Sequence, residues 1–416
     1  MKSIKTMPLC AAGVGFAVYL PMAGAEGFFE DSKASMEMRN FYMSRDFREG
    51  SGQSKRQEWA QGFILRYESG FTPGVVGFGV DAIGMLGIKL DSGPGRSGTG
   101  LLPVQDDGDV PDSYSKAGGT LKVKVSESQL RVGTLLPKWP TLAANNGRLL
   151  PQTFEGAQVQ VNEWKPLELT AAQIQGTVYR DQSGSTGLEL NNKNRRFSGP
   201  LDGGDFNLLG GTFHASETTD LIAQYAVFED VYKQRFLGLT DRRKGDWGAF
   251  TSDVRFFDSD SDGQARGGRI DNRAFSALGT YKLKGHSFGL GYQKMSGDSA
   301  FPYVAGTDPY LVNFVQVGDF AEKDERSWQA RYDFDLASVG VPGLSFMTRY
   351  VRGSRADVTG ADADGERELD VELQYVVQNG SMKGMSMRVR SATYRADFAR
   401  DADDVRVIVS YPLSLL

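Results

Sequence analysis

The chain has 416 residues, 51 of them Gly, with 11% aromatic and 24% charged residues and a formal net charge of −5. One Cys and two His exclude a disulfide scaffold and Cys- or His-rich metal chemistry; the acidic balance argues against a nucleic-acid partner, and the aromatic content against disorder. A mean hydropathy of −0.36 reads as soluble, but abundant Gly and aromatics also fit a transmembrane β-barrel with a polar lumen.

Lys2 and Lys5 begin the chain, followed by an uncharged, mostly apolar stretch from Met7 to Leu20 and then Pro21. Ala23-Gly24-Ala25 supplies small residues where a leader peptidase cuts, so residues 1–25 read as a secretory signal peptide cleaved after Ala25. The stretch is short for a membrane anchor, which needs about 20 apolar residues. Cys10 precedes most of the apolar region and is not preceded by the small residue a lipoprotein site prefers. It leaves with the leader, and a cysteine-free chain suits an oxidising compartment.

Residues 26–416 read as one domain without a linker. No uncharged run near 18 residues follows the leader, so helical spans are excluded. Period-two segments recur instead. In chain order they are Ser35–Arg39, Leu121–Val125, Ala157–Val161, Met385–Arg390 and Val405–Tyr411. Successive strand residues point to opposite faces, so each segment has a mainly apolar face and a polar or charged one. Turns are expected at Ser69-Gly70, Asn162-Glu163, Lys284-Gly285, Pro342-Gly343 and Asn379-Gly380. Long polar stretches at 91–115, 181–205 and 353–366 read as loops.

Short turns alternating with long loops is the pattern of an outer-membrane barrel. At about 22 to 24 residues per strand and turn, the domain holds about 16 to 18 strands. A propeller would show blade repeats of about 40 to 50 residues, and none is present. A soluble sandwich would not need so many arginines opposite its apolar face.

If the apolar face meets lipid, the other face lines the pore. Arg388 and Arg390 then share the lumen with Arg406, Lys122, Lys124 and Arg39. An Arg facing lipid at the midplane would cost about 2–4 kcal/mol. A guanidinium binds a carboxylate with its planar fork, so a column of such groups can pass an anion between weak sites. Ordinary wall charges paired with barrel carboxylates are the competing reading.

Several motifs fail. Asp258 to Gly263 resembles the start of a calcium loop, but Arg269 stands where a bidentate Glu is required, and the segment reads as an exposed turn. His214 and His286 lack partners at metal-ligand spacing. Gly285-His286-Ser287-Phe288-Gly289 matches a nucleophile elbow, but a strand follows where that motif needs a helix. A barrel hydrolase acting through Ser287 is the enzyme alternative; a receptor or structural barrel is the third class.

The chain resembles the OprD-type family of substrate-specific outer-membrane porins. The resemblance rests on Gly27-Phe28-Phe29-Glu30-Asp31-Ser32, Arg39-Asn40-Phe41-Tyr42, Arg148-Leu149-Leu150-Pro151-Gln152-Thr153, Ser327-Trp328-Gln329-Ala330-Arg331-Tyr332-Asp333 and the ending Val409-Ser410-Tyr411-Pro412-Leu413-Ser414. It covers nearly the whole mature chain. It implies an all-β, transmembrane antiparallel barrel of 18 strands, with inward-folded loops narrowing the pore. It also implies small carboxylate-bearing solutes, a basic ladder down one wall and an acidic loop pocket opposite.

Arg388, Arg390 and Arg406 fall on the family's ladder motif, and Arg39 and Lys124 near other ladder positions. Asp319 falls near the constriction loop's acidic residue, with Tyr303 beside the pocket. Lys124 and Val317 depart from residues found in other members. Glu58-Trp59-Ala60-Gln61 and the chain's ending look closer to the branch taking up aromatic and other organic acids than to the basic amino-acid and peptide branch. No cofactor is implied. The expected partners are carboxylate solutes, outer-membrane lipid and lipopolysaccharide, with a weak homotrimer within the family's range.

Overall fold

The computed structural model describes residues 27–358 and 365–416. The signal peptide expected at residues 1–25 and its expected cleavage site after Ala25 lie outside the described residues. No α-helix occurs among the described residues.

The first wall of the barrel is β1 (Lys33–Phe47), β2 (Lys55–Glu68), β3 (Val76–Asp91), β4 (Ser113–Val125) and β5 (Ser128–Leu135). Two very short strands, β6 (Lys138–Trp139) and β7 (Leu142–Ala143), pair only with each other inside the next loop. The barrel resumes with β8 (Thr153–Trp164), β9 (Leu167–Val178), β10 (Phe206–His214), β11 (Thr219–Phe228), β12 (Tyr232–Gly245) and β13 (Gly248–Ser261). It closes through β14 (Asp271–Leu283), β15 (His286–Ser296), β16 (Arg326–Asp335), β17 (Leu344–Ser354), β18 (Glu366–Val376), β19 (Ser386–Ala396) and β20 (Ala402–Ser414). These form one 18-stranded antiparallel sheet, closed by β1 against β20 with Phe41 opposite Ile408. Closure leaves no edge strand with unpaired backbone groups, which the bilayer could not satisfy.

Alternation carries the fold. On β18 Glu366, Glu368 and Asp370 are buried inside, whereas Leu369, Val371 and Leu373 are exposed outside. On β4 Tyr114, Lys116, Thr120 and Lys122 are buried, whereas Leu121 and Val125 are exposed. Leu290, 72% exposed, lies on the same outer surface. These exposed apolar residues are at rest only against lipid.

Tight turns such as 126–127, 165–166, 246–247 and 284–285 lie at one rim, and the long connections 92–112, 136–152, 179–205 and 297–325 at the other. The turn expected at Asn162-Glu163 falls three residues later. Asn162 and Glu163 still belong to β8, and the chain reverses at Lys165-Pro166, where proline cannot continue the ladder. The Asp258 turn is also corrected. Asp258 to Ser261 complete β13, and the side chains of Asp258 and Asp260 both hold Arg235. Ser287 lies near the start of β15, with a strand rather than a helix after it.

Candidate functional site

The inner face is not uniformly polar. Loop 92–112 brings Leu101 and Leu102, and loop 136–152 brings Leu149 and Leu150, onto inward Phe41, Met43, Ile64 and Met85. Loop 179–205 seats Leu188, Leu190 and Phe197 on Phe206, Phe228 and Ile174. Loop 297–325 seats Phe301, Tyr303 and Leu311 on Phe236, Phe257 and Met295. Burying an aliphatic or aromatic side chain contributes about 1.5–3 kcal/mol, so these anchors hold the loops inside the barrel.

Ionic contacts finish the seating. Asp319 accepts Arg196 at 2.6 and 2.7 Å, Lys193 at 2.9 Å and the Tyr303 hydroxyl at 2.8 Å. Arg196 also reaches Glu322 at 2.7 Å, and its side chain is fully buried. Burial pushes the Asp319 carboxyl up, but the charges of Arg196 and Lys193 outweigh it and hold the group well below the ordinary carboxylate range. Glu368 on β18 accepts the backbone N–H groups of Val317 and Gly318.

A basic cluster faces the channel beside this loop. Arg406 on β20 donates to Asp404 at 2.8 Å and to the Gln316 carbonyl at 2.9 Å. Arg45 on β1 shares Asp404 at 2.8 Å. On β19 Arg390 pairs with Glu372 at 2.9 Å, and Arg388 lies 3.5 Å from the same carboxylate and donates to Gln374. Two loop arginines join them. Arg148 donates to the carbonyls of Thr99 and Gly147, and neither it nor Arg180 has a carboxylate within ion-pair distance among the described residues. A Cβ at Gly100 would come within 3.3 Å of Arg180 and 3.7 Å of Arg148, so both guanidiniums crowd that glycine, whose φ is +77°. Burial lowers the Arg148 pKa, and so do the nearby charges of Arg406, Arg180 and Arg45. Four of these guanidiniums share Glu372 and Asp404 and the two loop arginines add to them without an ion-pair partner, leaving surplus positive charge.

Asp308, from loop 297–325, faces this surplus. It accepts the Asn145 amide, and Arg180 and Arg148 both act on it. Burial nevertheless raises its pKa to about 6.

The model of the OprD family, an outer membrane porin family, matches residues 26–415. The chain belongs to the OprD family of outer-membrane porins. It is 40% identical to the porin-like protein GalP of Pseudomonas putida over 96% of each chain. It is similar to the crystal structure of OccK5 (OpdH) of Pseudomonas aeruginosa, at 48% identity and TM-score 0.85, covering 94% of this chain and all of that one. It is also similar to OpdK of the same organism, solved with vanillate, at 39% identity and TM-score 0.88, covering 93% of this chain and all of that one. These relatives are porins, not enzymes. This porin thus lies in the bacterial outer membrane and is a substrate-specific channel.

In this porin the residues picked out from sequence fall into separate places. Arg388, Arg390 and Arg406 come together. Arg39 is nearly buried, bonded to Glu37 at 2.7 Å and to the Arg148 carbonyl at 2.6 Å, so it holds the loop that carries Arg148. Lys122 lies toward the turn end of β4, 2.5 Å from Asp81 and bonded to the Ser69 carbonyl. Lys124 is half-buried on the same inner face. Asp319 is 1% exposed and Tyr303 7%. Arg196, Lys193 and the Tyr303 hydroxyl all donate to the Asp319 carboxylate, so the pair ties loop 297–325 to loop 179–205.

Sequence reasoning missed Arg45, Arg148, Arg180 and Asp308, and also the acidic column Glu366, Glu368, Asp370, Glu372 on β18. The column was visible as Glu-Arg-Glu-Leu-Asp-Val-Glu-Leu, a strict alternation. Asp370 pairs with Arg349 at 2.6 Å, so this column neutralises part of the basic wall beside it.

Proposed function

We propose that this porin passes small carboxylate-bearing solutes, aromatic or other organic acids, passively into the periplasm. The surplus of guanidiniums at Arg388, Arg390, Arg148 and Arg180 carries the reading. A mobile carboxylate supplies the counter-charge that the protein withholds there. Arg406 and Arg39 act one step back: they fix Gln316 and Arg148, the parts of two loops that border the cluster. Lys122 and Lys124 extend the positive wall toward the turn end. Vanillate, named with the OpdK structure, is an aromatic carboxylate and fits the same chemistry. Exchange between partly neutralised arginines keeps each site weak enough to release its anion.

Single-channel recording with a panel of carboxylates tests this. Arg388→Ala with Arg390→Ala should weaken current block by benzoate-type anions about tenfold, in line with about 1.5–3 kcal/mol for hydrogen bonds to charged groups. Unchanged block would remove the ladder from the mechanism. Liposome swelling that shows no solute dependence would instead indicate a receptor or structural barrel.

A further inference from the structure

On the outer surface, Arg352 of β17 stands directly opposite Arg367 of β18, and Arg367 opposite Arg395 of β19. Arg352 and Arg367 are exposed and have no ion-pair partner among the described residues. Arg395 is held by Asp403 at 2.9 Å and lies 3.4 Å from Asp401. Directly opposed residues on one face hold their Cβ atoms about 4.5–5.5 Å apart, and like charges there repel.

Another stretch of the same rim shows what an ordinary row looks like. Arg235 stands opposite Asp258, and Asp258 opposite Arg273, so the signs alternate and the row neutralises itself. The row across β17 to β19 does not. With Arg400 its arginines line a cleft of about 910 Å3 together with Glu49, Glu366, Asp397 and Asp401, of which Asp397 accepts the Gly365 N–H and Asp401 the Ala396 N–H.

The surroundings set what kind of anion fits. Trp328 and Tyr292 continue the row sideways through β16 and β15, as the aromatic girdle of a membrane interface does. Further along the same strands, Tyr350 opposes Leu369 and Phe346 opposes Leu373, on the face that meets acyl chains. The site therefore offers paired cations at the interface and an apolar surface beneath them.

We propose that Arg352 and Arg367 bind a phosphate of an outer-leaflet phosphorylated glycolipid, whose acyl chains lie along β17 and β18. Two guanidinium forks present parallel N–H donors to the phosphate oxygens, and the phosphate cancels the repulsion between them.

The full-length porin, refolded in detergent, is titrated with bisphosphorylated lipid A, with the same lipid stripped of its phosphates, and with inorganic phosphate. An arginine near a charged membrane surface is worth about 1 kcal/mol, so Arg352→Gln and Arg367→Gln should each weaken lipid A binding about fivefold and their combination more than tenfold. Arg235→Gln, in the self-neutralised row, should leave binding unchanged. Heat-modifiable gel mobility and solute flux report folding, and the single variants carry the test if the double variant fails to fold. Unchanged affinity in a folded variant, or equal binding of the dephosphorylated lipid, overturns the proposal. Competition by inorganic phosphate at lipid concentrations would reveal an isolated anion site and overturn the lipid assignment.

Discussion

At Asp308 burial and charge pull a single proton in opposite directions. Burial raises the pKa from 3.8 to about 6, and the charges of Arg180 and Arg148 only partly reverse it. A raised carboxyl pKa favours the protonated form in the folded state. That contribution to stability is complete below the ordinary value near 4 and is lost as pH rises through about 6. Over the same window the ionised carboxylate comes to compete with a passing anion for Arg148 and Arg180. Anion selectivity, read from reversal potentials in a salt gradient, should therefore fall between pH 4.5 and 7.5. Asp308→Asn should hold the low-pH selectivity throughout; a step that persists in this variant would assign the titration elsewhere. The contrast with Arg388 and Arg390 explains what could be read beforehand. Those two alternate with Met387 and Val389 on a strand, so period alone turned them inward. Arg148, Arg180 and Asp308 lie in loops, where no period tells which way a side chain points.

Each long loop is an element seated on the inner wall. The seat of loop 297–325 combines Phe301 and Leu311 against inward aromatics with the Asp319 cluster and the backbone clamp of Glu368. Asp319→Ala would leave Arg196 buried with Glu322 as its remaining carboxylate partner. Breaking a buried pair from one side costs about 3–5 kcal/mol. That loss should loosen the loop while the barrel stays closed, because the strand ladders do not pass through Asp319. The expected record is a larger and noisier open-channel current with unchanged gel mobility. A quiet current of ordinary size would mean that the apolar seat alone suffices. Sequence alone did not expose this role of Asp319. A buried acid and a solvated one are spelled alike, and only the arrival of Arg196 and Lys193 from another loop distinguishes them.

For the whole molecule, the bilayer acts as the solvent of the outer face and water as that of the lumen. Val371→Arg, at the middle of β18 on the outer side, should lower folding stability by about 2–4 kcal/mol in liposome refolding titrations. A loss below 1 kcal/mol would place that surface against water or protein instead. Strand direction, facing and barrel class follow from alternation along the chain, because a period of two is a local property of the backbone and lipid punishes any slip. The sequence by itself therefore determined the barrel, the family and the inward turn of Arg388, Arg390 and Arg406. Which charges remain unmatched was decided only by the tertiary structure. Asp404 meets Arg45 across the closing seam, Asp319 meets Arg196 across two loops, and Arg148 and Arg180 converge at Gly100 from separate loops. Neutralisation depends on distances of a few ångströms between residues far apart in the chain, and no pattern along the chain encodes those distances.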